Sequence, residues 1–413
     1  MSDVQRIFAA QALRAFAYGL GSVLLGLTLE ERGWSSTEVG ALLTAVVAGT
    51  ALMSVVIGAF GDRLGRRRSY ALLFVGLAFA GLAFGLTDKF WLLAIVSLTG
   101  TLSTEVVESG PFTSLEQSMI AGGVPPSRRG RTFAMYNAAA TIAGSVGALT
   151  AGGPSLLRES LGSPADERFF LTFVPVALLG AVVALSLSPS VEAEAERTSV
   201  AGLNRSRSTV THLAGLFAVD SLGGGFVVQA FIAYWFRLKF GVSPELLGLL
   251  FFGVGALQTA SFLAAGRLAE RFGLLNTMIV SHIPSNILLA AIPFAPTLGV
   301  AIILLLGRQS LSQMDVPMRQ AYISNLVDPS ERTAAAAYTN TARYIVRPVG
   351  PALAGAAQQI ALGAPFVIAG TLKIGYDLTL WAWFRRVSLD DGDKEVAACE
   401  APVAETIATR ASR

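Results

Sequence analysis

Long apolar runs alternate with short polar connections along the whole chain. Most runs extend over about 20 residues, the length that an α-helix needs to cross a hydrocarbon core of about 30 Å. The pattern therefore predicts an all-α polytopic membrane protein with roughly twelve membrane-spanning helices. Their expected limits are 7–29, 38–60, 69–87, 90–119, 131–153, 168–188, 210–236, 244–266, 275–295, 297–326, 332–360 and 364–384.

Composition supports a membrane protein. Of 413 residues, 53% are hydrophobic and only 14% are charged, which is too apolar for a soluble domain of this length. The net charge of +3 comes from basic residues in short connections, so it predicts no nucleic-acid partner. Cys399 is the only cysteine, which excludes an intramolecular disulfide. We expect no cofactor, and we interpret His212 and His282 as structural because neither has metal-ligand partners at a useful spacing.

The distribution of arginines predicts the orientation. Arg63, Arg66, Arg67 and Arg68 are clustered between the second and third runs, and later arginines favour the same side. Positively charged connections remain in the cytoplasm, so an even number of spans places both termini there. The first run, 7–29, is longer than the apolar part of a signal peptide and is interpreted as a transmembrane helix.

The charge cluster also carries a family resemblance. The pattern consists of Gly58, Asp62-Arg63 and Gly65-Arg66-Arg67, with three residues between the first two parts and one residue between the last two. It resembles the signature loop of the major facilitator superfamily. The resemblance implies two pseudo-symmetric six-helix bundles and transport of a small solute across the cell inner (plasma) membrane by alternating access. It also implies a protein that is not an enzyme. Conformational gating is implied for the matching residues, which are Gly58, Asp62, Arg63, Gly65 and Arg66.

An internal repeat divides the chain into halves. The stretch 266–273 restates the signature loop, so that Glu270 aligns with Asp62 and Arg271 aligns with Arg63, and both are predicted to contribute to gating. Two related bundles place a substrate cavity at their interface. We expect an N-terminal bundle over 1–188, a cytoplasmic connection over 189–209, a C-terminal bundle over 210–384 and a disordered cytoplasmic tail over 385–413.

Acidic residues within the apolar runs are candidates for proton coupling. Glu105 and Glu108 are three residues apart and would share one face of a continuous helix, and Asp220 lies about ten residues inside the seventh run. Charges inside a bilayer are costly and are usually functional. The alternative is that each carboxylate is permanently paired with an arginine and only ties helices together.

Basic and polar residues within the runs are candidates for substrate binding. Arg343 and Arg347 are four residues apart, so they form a patch that can bind a carboxylate or phosphate. The alternative is that they neutralise the intramembrane acids, which would leave a cavity suited to lipophilic cations. The full set of predicted substrate contacts is Arg14, Tyr136, Asn137, Tyr338, Asn340, Arg343 and Arg347.

Three further residues are predicted to contribute to gating. Asp315 and Arg319 end the tenth run, and Arg319 is equivalent to Glu116 in the repeat. Opposite charges at equivalent positions can form a latch between the bundles that breaks in another access state. The alternative is that both side chains extend to the membrane interface.

The direction of transport is suggested by one motif. Gly350-Pro351-Ala352-Leu353-Ala354-Gly355 is similar to the antiporter motif of bacterial drug-efflux permeases, although in those proteins the motif lies in the fifth helix. We therefore expect proton-coupled export by a monomer. The alternatives are proton symport or facilitated uptake of an organic anion and, in another class, a membrane receptor or scaffold that transports nothing.

Overall fold

Twelve helical segments follow one another along the part of the chain that the structure describes. This computed structural model describes residues 2–106, 110–153, 159, 160, 162, 166–192, 206–327 and 331–385. Its helices are α1 (Asp3–Glu31), α2 (Ser36–Leu64), α3 (Arg66–Leu86), α4 (Phe90–Ser97), α5 (Gly110–Gly123), α6 (Pro126–Leu149), α7 (Phe173–Leu185), α8 (Arg207–Phe226), α9 (Gln229–Phe240), α10 (Pro244–Phe272), α11 (Leu274–Ala291), α12 (Leu298–Ser312), α13 (Asp315–Leu326), α14 (Arg332–Val346), α15 (Val349–Ile360) and α16 (Ala364–Phe384). The predicted tail and most of the predicted central connection lie outside the described residues.

Four segments are broken, which corrects the prediction of continuous helices in those places. The pairs are α4 with α5, α8 with α9, α12 with α13, and α14 with α15. Pro348 stands at the last of these breaks, where its missing N–H cannot continue the helix. Seven segments of the described chain are long and apolar enough to cross a membrane by length and composition, and the broken seventh segment is among them.

The break in the fourth segment changes the position of Glu105. Residues 101–106 are not helical, so Glu105 is not part of the continuous helix that the sequence predicts. Glu108 lies outside the described residues, and its shared face with Glu105 stays a prediction. Side chains of α1 bind carbonyl groups in this stretch: the Tyr18 hydroxyl donates to Thr101 O at 2.8 Å, and Arg14 Nη1 donates to Val106 O at 3.5 Å. Non-helical backbone at membrane depth is tolerated where the protein satisfies it in this way.

The turn of the signature sequence is a single glycine. Gly65 connects α2 to α3 with φ +88°, and Gly273 connects α10 to α11 with φ +79°. Both conformations favour glycine, which accounts for the repeat of this residue in the two halves. The carboxylate of Glu192 accepts hydrogen bonds from the N–H groups of Arg66 (2.6 Å) and Arg67 (3.0 Å). Glu192 therefore caps the start of α3, where an anion also stabilises the helix dipole.

Within the described residues, the most extensive contacts between the two halves are made by α1 with α9, α2 with α15, and α6 with α10. We call the end of the molecule that carries the α1–α2 turn, with Gly33, the Gly33 end, and the opposite end, with Gly65 and Gly273, the Gly65 end. A Cβ atom on Gly355 would lie 2.3 Å from Ser36 O, and one on Gly40 would lie 2.6 Å from Pro351 O. Only glycine permits this approach, so the bundles are closely packed at the Gly33 end.

Candidate functional site

A cavity of about 170 Å³ lies between the bundles. On α6 it is lined by Thr141 and Ser145, and on α10 by Gly255 and Gln258, all on the Gly65 side of the contact between Ala148 and Gly248. The charged residues that line it come from five of the twelve segments and are Glu105, Asp220, Arg308, Asp315, Arg319, Arg343, Arg347 and Lys373. It is therefore a strongly polar chamber inside an apolar protein.

The N-terminal bundle contains a closed ion pair beside this cavity. The Arg14 guanidinium binds the Glu116 carboxylate in bidentate fashion, with Nη2–Oε2 at 2.8 Å and Nε–Oε1 at 3.1 Å. The Tyr70 hydroxyl donates to Oε1 at 2.7 Å, and the Tyr136 hydroxyl donates to Oε2. Arg14 and Glu116 are both 0% exposed. The pair is thus neutral and shielded from water.

This arrangement places two predicted substrate contacts, Arg14 and Tyr136, and one residue of the predicted latch, Glu116, in the closed ion pair. Arg14 and Tyr136 are directed at Glu116 and are not among the described residues that line the cavity. Glu116 and Arg319 do not form the predicted latch in this structure, since each is paired with a residue of its own bundle. Arg319 Nη1 lies 3.0 Å from Asp315 Oδ2 and 3.5 Å from Asp220 Oδ2.

In the C-terminal bundle, Asp220 is the centre of a larger cluster. Lys373 Nζ lies 2.5 Å from Asp220 Oδ1, and His282 Nε2 lies 4.0 Å from the same oxygen. Together with Arg319, these side chains come from α8, α11, α13 and α16, and those of Asp220, His282 and Lys373 all border the cavity. Asp220 is therefore paired, as the alternative reading of the sequence proposed, but in a site that opens to the cavity.

His282 connects this cluster to a further acid. Its Nδ1 lies 2.8 Å from Asp377 Oδ1, and Asn286 Nδ2 donates to Asp377 Oδ2 at 3.2 Å. His282 is one turn before Asn286 on α11, and Lys373 is one turn before Asp377 on α16. Each of two neighbouring helices thus contributes an i, i+4 pair, of which His282 and Lys373 line the chamber.

An ion pair links the halves across the cavity. Arg347, at the break between α14 and α15, binds Glu105 in the non-helical stretch of the fourth segment. Arg343 lies one turn earlier and also lines the cavity. The predicted two-arginine patch is therefore located at the cavity, with a carboxylate of the other bundle as a neighbour.

Arg308 differs from Arg319 and Arg347, which both have carboxylate partners. Within the part of the chain that the structure describes, it has no carboxylate within 4.0 Å, and its buried Nε has no hydrogen-bond partner. Beside it, Gln309 Oε1 accepts hydrogen bonds from Ser312 Oγ at 2.7 Å and Gln258 Nε2 at 3.3 Å. A guanidinium next to neutral hydrogen-bonding groups can bind a carboxylate or phosphate.

The remaining predicted site residues are outside the chamber. Tyr338 and Asn340 are exposed on α14, and Asn137, on α6, is not among the described cavity residues. Arg63 is exposed at the end of α2, near Phe60, and Arg271 is exposed at the end of α10, near Phe272. Gly58 lies on an exposed part of α2. The side chains of Asp62 and Glu270 lie outside the described residues, so their predicted gating role stays a prediction.

Three residues of the Asp220 cluster were not predicted as site residues from the sequence. His282 was interpreted as structural, and Lys373 and Asp377 were not singled out. The sequence did contain one indication of a buried pair. Lys373 and Asp377 are opposite charges four residues apart in the middle of the last apolar run. His212, in contrast, is exposed and packs against Trp383 at 5.5 Å between ring centres.

Comparison with known proteins agrees with this architecture. A family model described as Major Facilitator Superfamily matches residues 7–219 and 213–409. The chain belongs to the Major Facilitator Superfamily. A protein of Saccharomyces cerevisiae, the uncharacterized membrane protein YJR124C, is 28% identical over 420 residues, which cover 92% of this chain and 94% of that protein.

Solved structures of the superfamily have the same fold. The nucleoside transporter NupG is 13% identical, with a TM-score of 0.71 and coverage of 93% of this chain and 99% of that one. The human organic anion transporter MFSD10 is 19% identical, with a TM-score of 0.63 and coverage of 91% and 98%. A bacterial homologue of the human lysosomal transporter Spinster, inward-facing and unoccupied, is 16% identical, with a TM-score of 0.64 and coverage of 92% and 94%.

Superfamily membership confirms the predicted fold class and the predicted function in outline. The protein is a multi-pass membrane transporter with a small-molecule substrate, and it is not an enzyme.

Proposed function

We propose that the protein is a proton-coupled secondary transporter of a small solute that carries a carboxylate or phosphate group. The observation that carries this proposal is the Arg308 guanidinium, which lines the cavity and has no carboxylate partner among the described residues. Of the two cavity chemistries that the sequence left open, the charges of the described residues favour the anionic substrate.

The balance of charge supports an anion. Five basic and three acidic side chains line the described cavity, an excess of two positive charges while His282 is neutral. A low-dielectric chamber with excess positive charge attracts anions. Arg308, Arg343 and Gln309 offer donors that can form bidentate and neutral hydrogen bonds to the same small molecule.

The different packing of the bundles at the Gly33 end and the Gly65 end supports alternating access. The bundles are packed at the Gly33 end, and the cavity lies on the Gly65 side of these contacts. With the arginine-rich Gly65 end in the cytoplasm, as the positive-inside rule predicts, this is an inward-facing state. We also propose that the protein is a monomer in the plasma membrane with both termini cytoplasmic.

Direction is a separate proposal. The Gly350–Gly355 motif favours export, whereas a chamber that attracts both an anion and a proton favours their movement in the same direction, hence uptake. Influx and efflux in proteoliposomes of known orientation, with an imposed pH gradient, distinguish the two. Flux of any solute through purified protein also distinguishes a transporter from a receptor or scaffold.

Substitution of Arg308 tests the anionic substrate. Purified protein in liposomes is screened with radiolabelled benzoate, succinate, glycerol 3-phosphate and, as a cation, tetraphenylphosphonium. A hydrogen-bonded charge contributes about 1.5–3 kcal/mol, so Arg308→Gln should reduce the apparent affinity for the transported anion roughly 10- to 100-fold. Arg308→Lys keeps the charge and should lose less, and Arg207→Gln, at an exposed arginine outside the cavity, is the matched control. Uptake of the cation alone would contradict the proposal, as would an unchanged affinity in Arg308→Gln.

A further inference from the structure

His282 is held between two aspartates from different helices. Nδ1 is 2.8 Å from Asp377 Oδ1, and Nε2 faces Asp220 Oδ1 at 4.0 Å. An ionised carboxylate only accepts hydrogen bonds, so the Nδ1–H donates to Asp377 whether the ring is neutral or charged. Nε2 is therefore the nitrogen that gains or loses a proton. Without a proton its lone pair faces a carboxylate, and with one its N–H points toward that carboxylate.

Among the residues joined to His282 by ion pairs within 4.0 Å, the charges balance only when the ring is protonated; Arg308, which also faces the ring, has no carboxylate within that distance among the described residues. The cluster contains three acids, Asp220, Asp315 and Asp377, and two permanent cations, Arg319 and Lys373. A neutral ring leaves one negative charge in excess, and a protonated ring removes it. Because such a site lies in a low-dielectric medium, an unbalanced charge is expensive.

Side chains from the helices packed around α11 surround the His282 ring. The charged residues of α10 lie near its two ends. The charged or titratable groups that face the ring from the other helices are Asp220 of α8, Arg308 of α12, Asp315 and Arg319 of α13, and Lys373, Tyr376 and Asp377 of α16.

We propose that His282 is the proton-binding group of the transport cycle and that the proton is carried on Nε2, between the ring and Asp220. His282 lines the cavity, so the proton is exchanged with the water of whichever side the cavity opens to. This inference rests on the proposed transport function, because it assigns the proton site of the same cycle.

Arg343 and Arg347 connect the proton to the other bundle. Arg347 binds Glu105 of the N-terminal half, and Arg343 lines the same cavity as Asp220. When His282 is neutral, the excess negative charge of the ion-paired cluster attracts Arg343 and draws Arg347 away from Glu105. When His282 is protonated, the attraction is removed and the inter-bundle pair forms. The structure, with Arg347 on Glu105, corresponds to the protonated state.

Direct observation of the proton is the first test. The chain has two histidines, so ¹⁵N-histidine labelling of the full-length protein in nanodiscs gives two rings, and His212→Gln identifies the His282 signals. We expect Nε2 of His282 to titrate within the pH range over which the protein stays folded, while Nδ1 stays protonated. A ring that keeps one protonation state over this range would overturn the proposal.

Distance measurements test the coupling to conformation. Spin labels at Gly122 of α5 and Thr211 of α8, in a Cys399→Ser background, report the separation of the bundles at the Gly65 end. We expect the long-distance population to decrease as pH rises, with the same midpoint as the His282 titration. His282→Gln should remove the pH dependence and keep the alkaline distribution. His282→Lys should keep the acidic one.

Matched variants separate this proposal from its rivals. His212→Gln makes the same change at an exposed site and should leave the pH dependence intact. If Glu105→Gln abolishes the pH dependence and His282→Gln does not, Glu105 is the proton carrier and the proposal is wrong. No substrate is needed in either measurement. A protein that shows this titration and transports no anion would therefore refute the anionic substrate alone.

Discussion

Each bundle buries charge, but the two bundles do so in different ways. In the N-terminal bundle, Arg14 and Glu116 form a neutral pair that two tyrosine hydroxyls complete and that water cannot reach. In the C-terminal bundle, Asp220 shares Lys373, Arg319 and His282 at the wall of the cavity. A saturated pair fixes helices, whereas a cluster with a titratable member and access to water can change its charge. From this comparison we propose a structural role for the first and the chemistry of transport for the second.

The largest effect is expected from breaking the N-terminal pair. Glu116→Gln leaves the Arg14 guanidinium buried without a counter-ion, and loss of one partner of a buried pair costs about 3–5 kcal/mol. The free energy of unfolding, measured by denaturant titration in mixed micelles, should decrease by this amount. Replacing both partners, with Arg14→Met and Glu116→Leu, should restore most of the loss because no charge is then unpaired.

The same variants show whether the N-terminal pair takes part in coupling. The double variant should keep the pH dependence of the spin-label distances, because His282 and its neighbours are unchanged. If its pH dependence disappears while the protein stays folded, the N-terminal pair is part of the proton pathway and the contrast between the bundles fails.

A smaller effect on stability, but a larger one on pH dependence, is expected in the C-terminal cluster. Asp220→Asn removes an acceptor from Lys373 and Arg319, yet Arg319 retains Asp315 and both cations border the hydrated cavity. We expect a loss of about 1–3 kcal/mol in the free energy of unfolding. Without the facing carboxylate, His282 should bind its proton less tightly, so the midpoint of its titration should move to lower pH.

Asp88→Asn is a suitable control for this experiment. It is the same aspartate-to-asparagine substitution at an exposed position between α3 and α4, outside both clusters, and should leave the His282 titration unchanged. An equal shift in both variants would mean that the midpoint reports overall charge and not the Asp220 contact.

The sequence was sufficient for the fold but only partly sufficient for the site. Apolar run lengths and the Gly65 signature predict the helical segments because membrane-spanning length and turn geometry are local properties. The break around Glu105 was not predicted, since it depends on hydrogen bonds from Tyr18 and Arg14 in another helix. For the same reason, a list of buried charges did not reveal that Arg14 binds Glu116 or that His282 joins Asp220 to Asp377.

The smallest effect is expected where the two bundles meet. Arg237 Nε of α9 lies 3.1 Å from Glu30 Oε2 of α1 at the Gly33 end, and each side chain is about a quarter exposed, at 26% and 27%. Partly exposed ion pairs contribute about 0–1 kcal/mol, so Arg237→Gln should change the free energy of unfolding by less than about 1 kcal/mol.

This small energy nevertheless acts on the access equilibrium, because a pair that joins the bundles at the Gly33 end is made only while that end is closed. A change of about 1 kcal/mol alters a two-state ratio roughly fivefold. Arg237→Gln should therefore reduce the long-distance population of the Gly122 and Thr211 labels at constant pH, and the exchanged pair Glu30→Arg with Arg237→Glu should recover it. If the single variant leaves the distances unchanged, the packed glycines hold this end closed without the ion pair. The proton on His282 would then be the main influence on access.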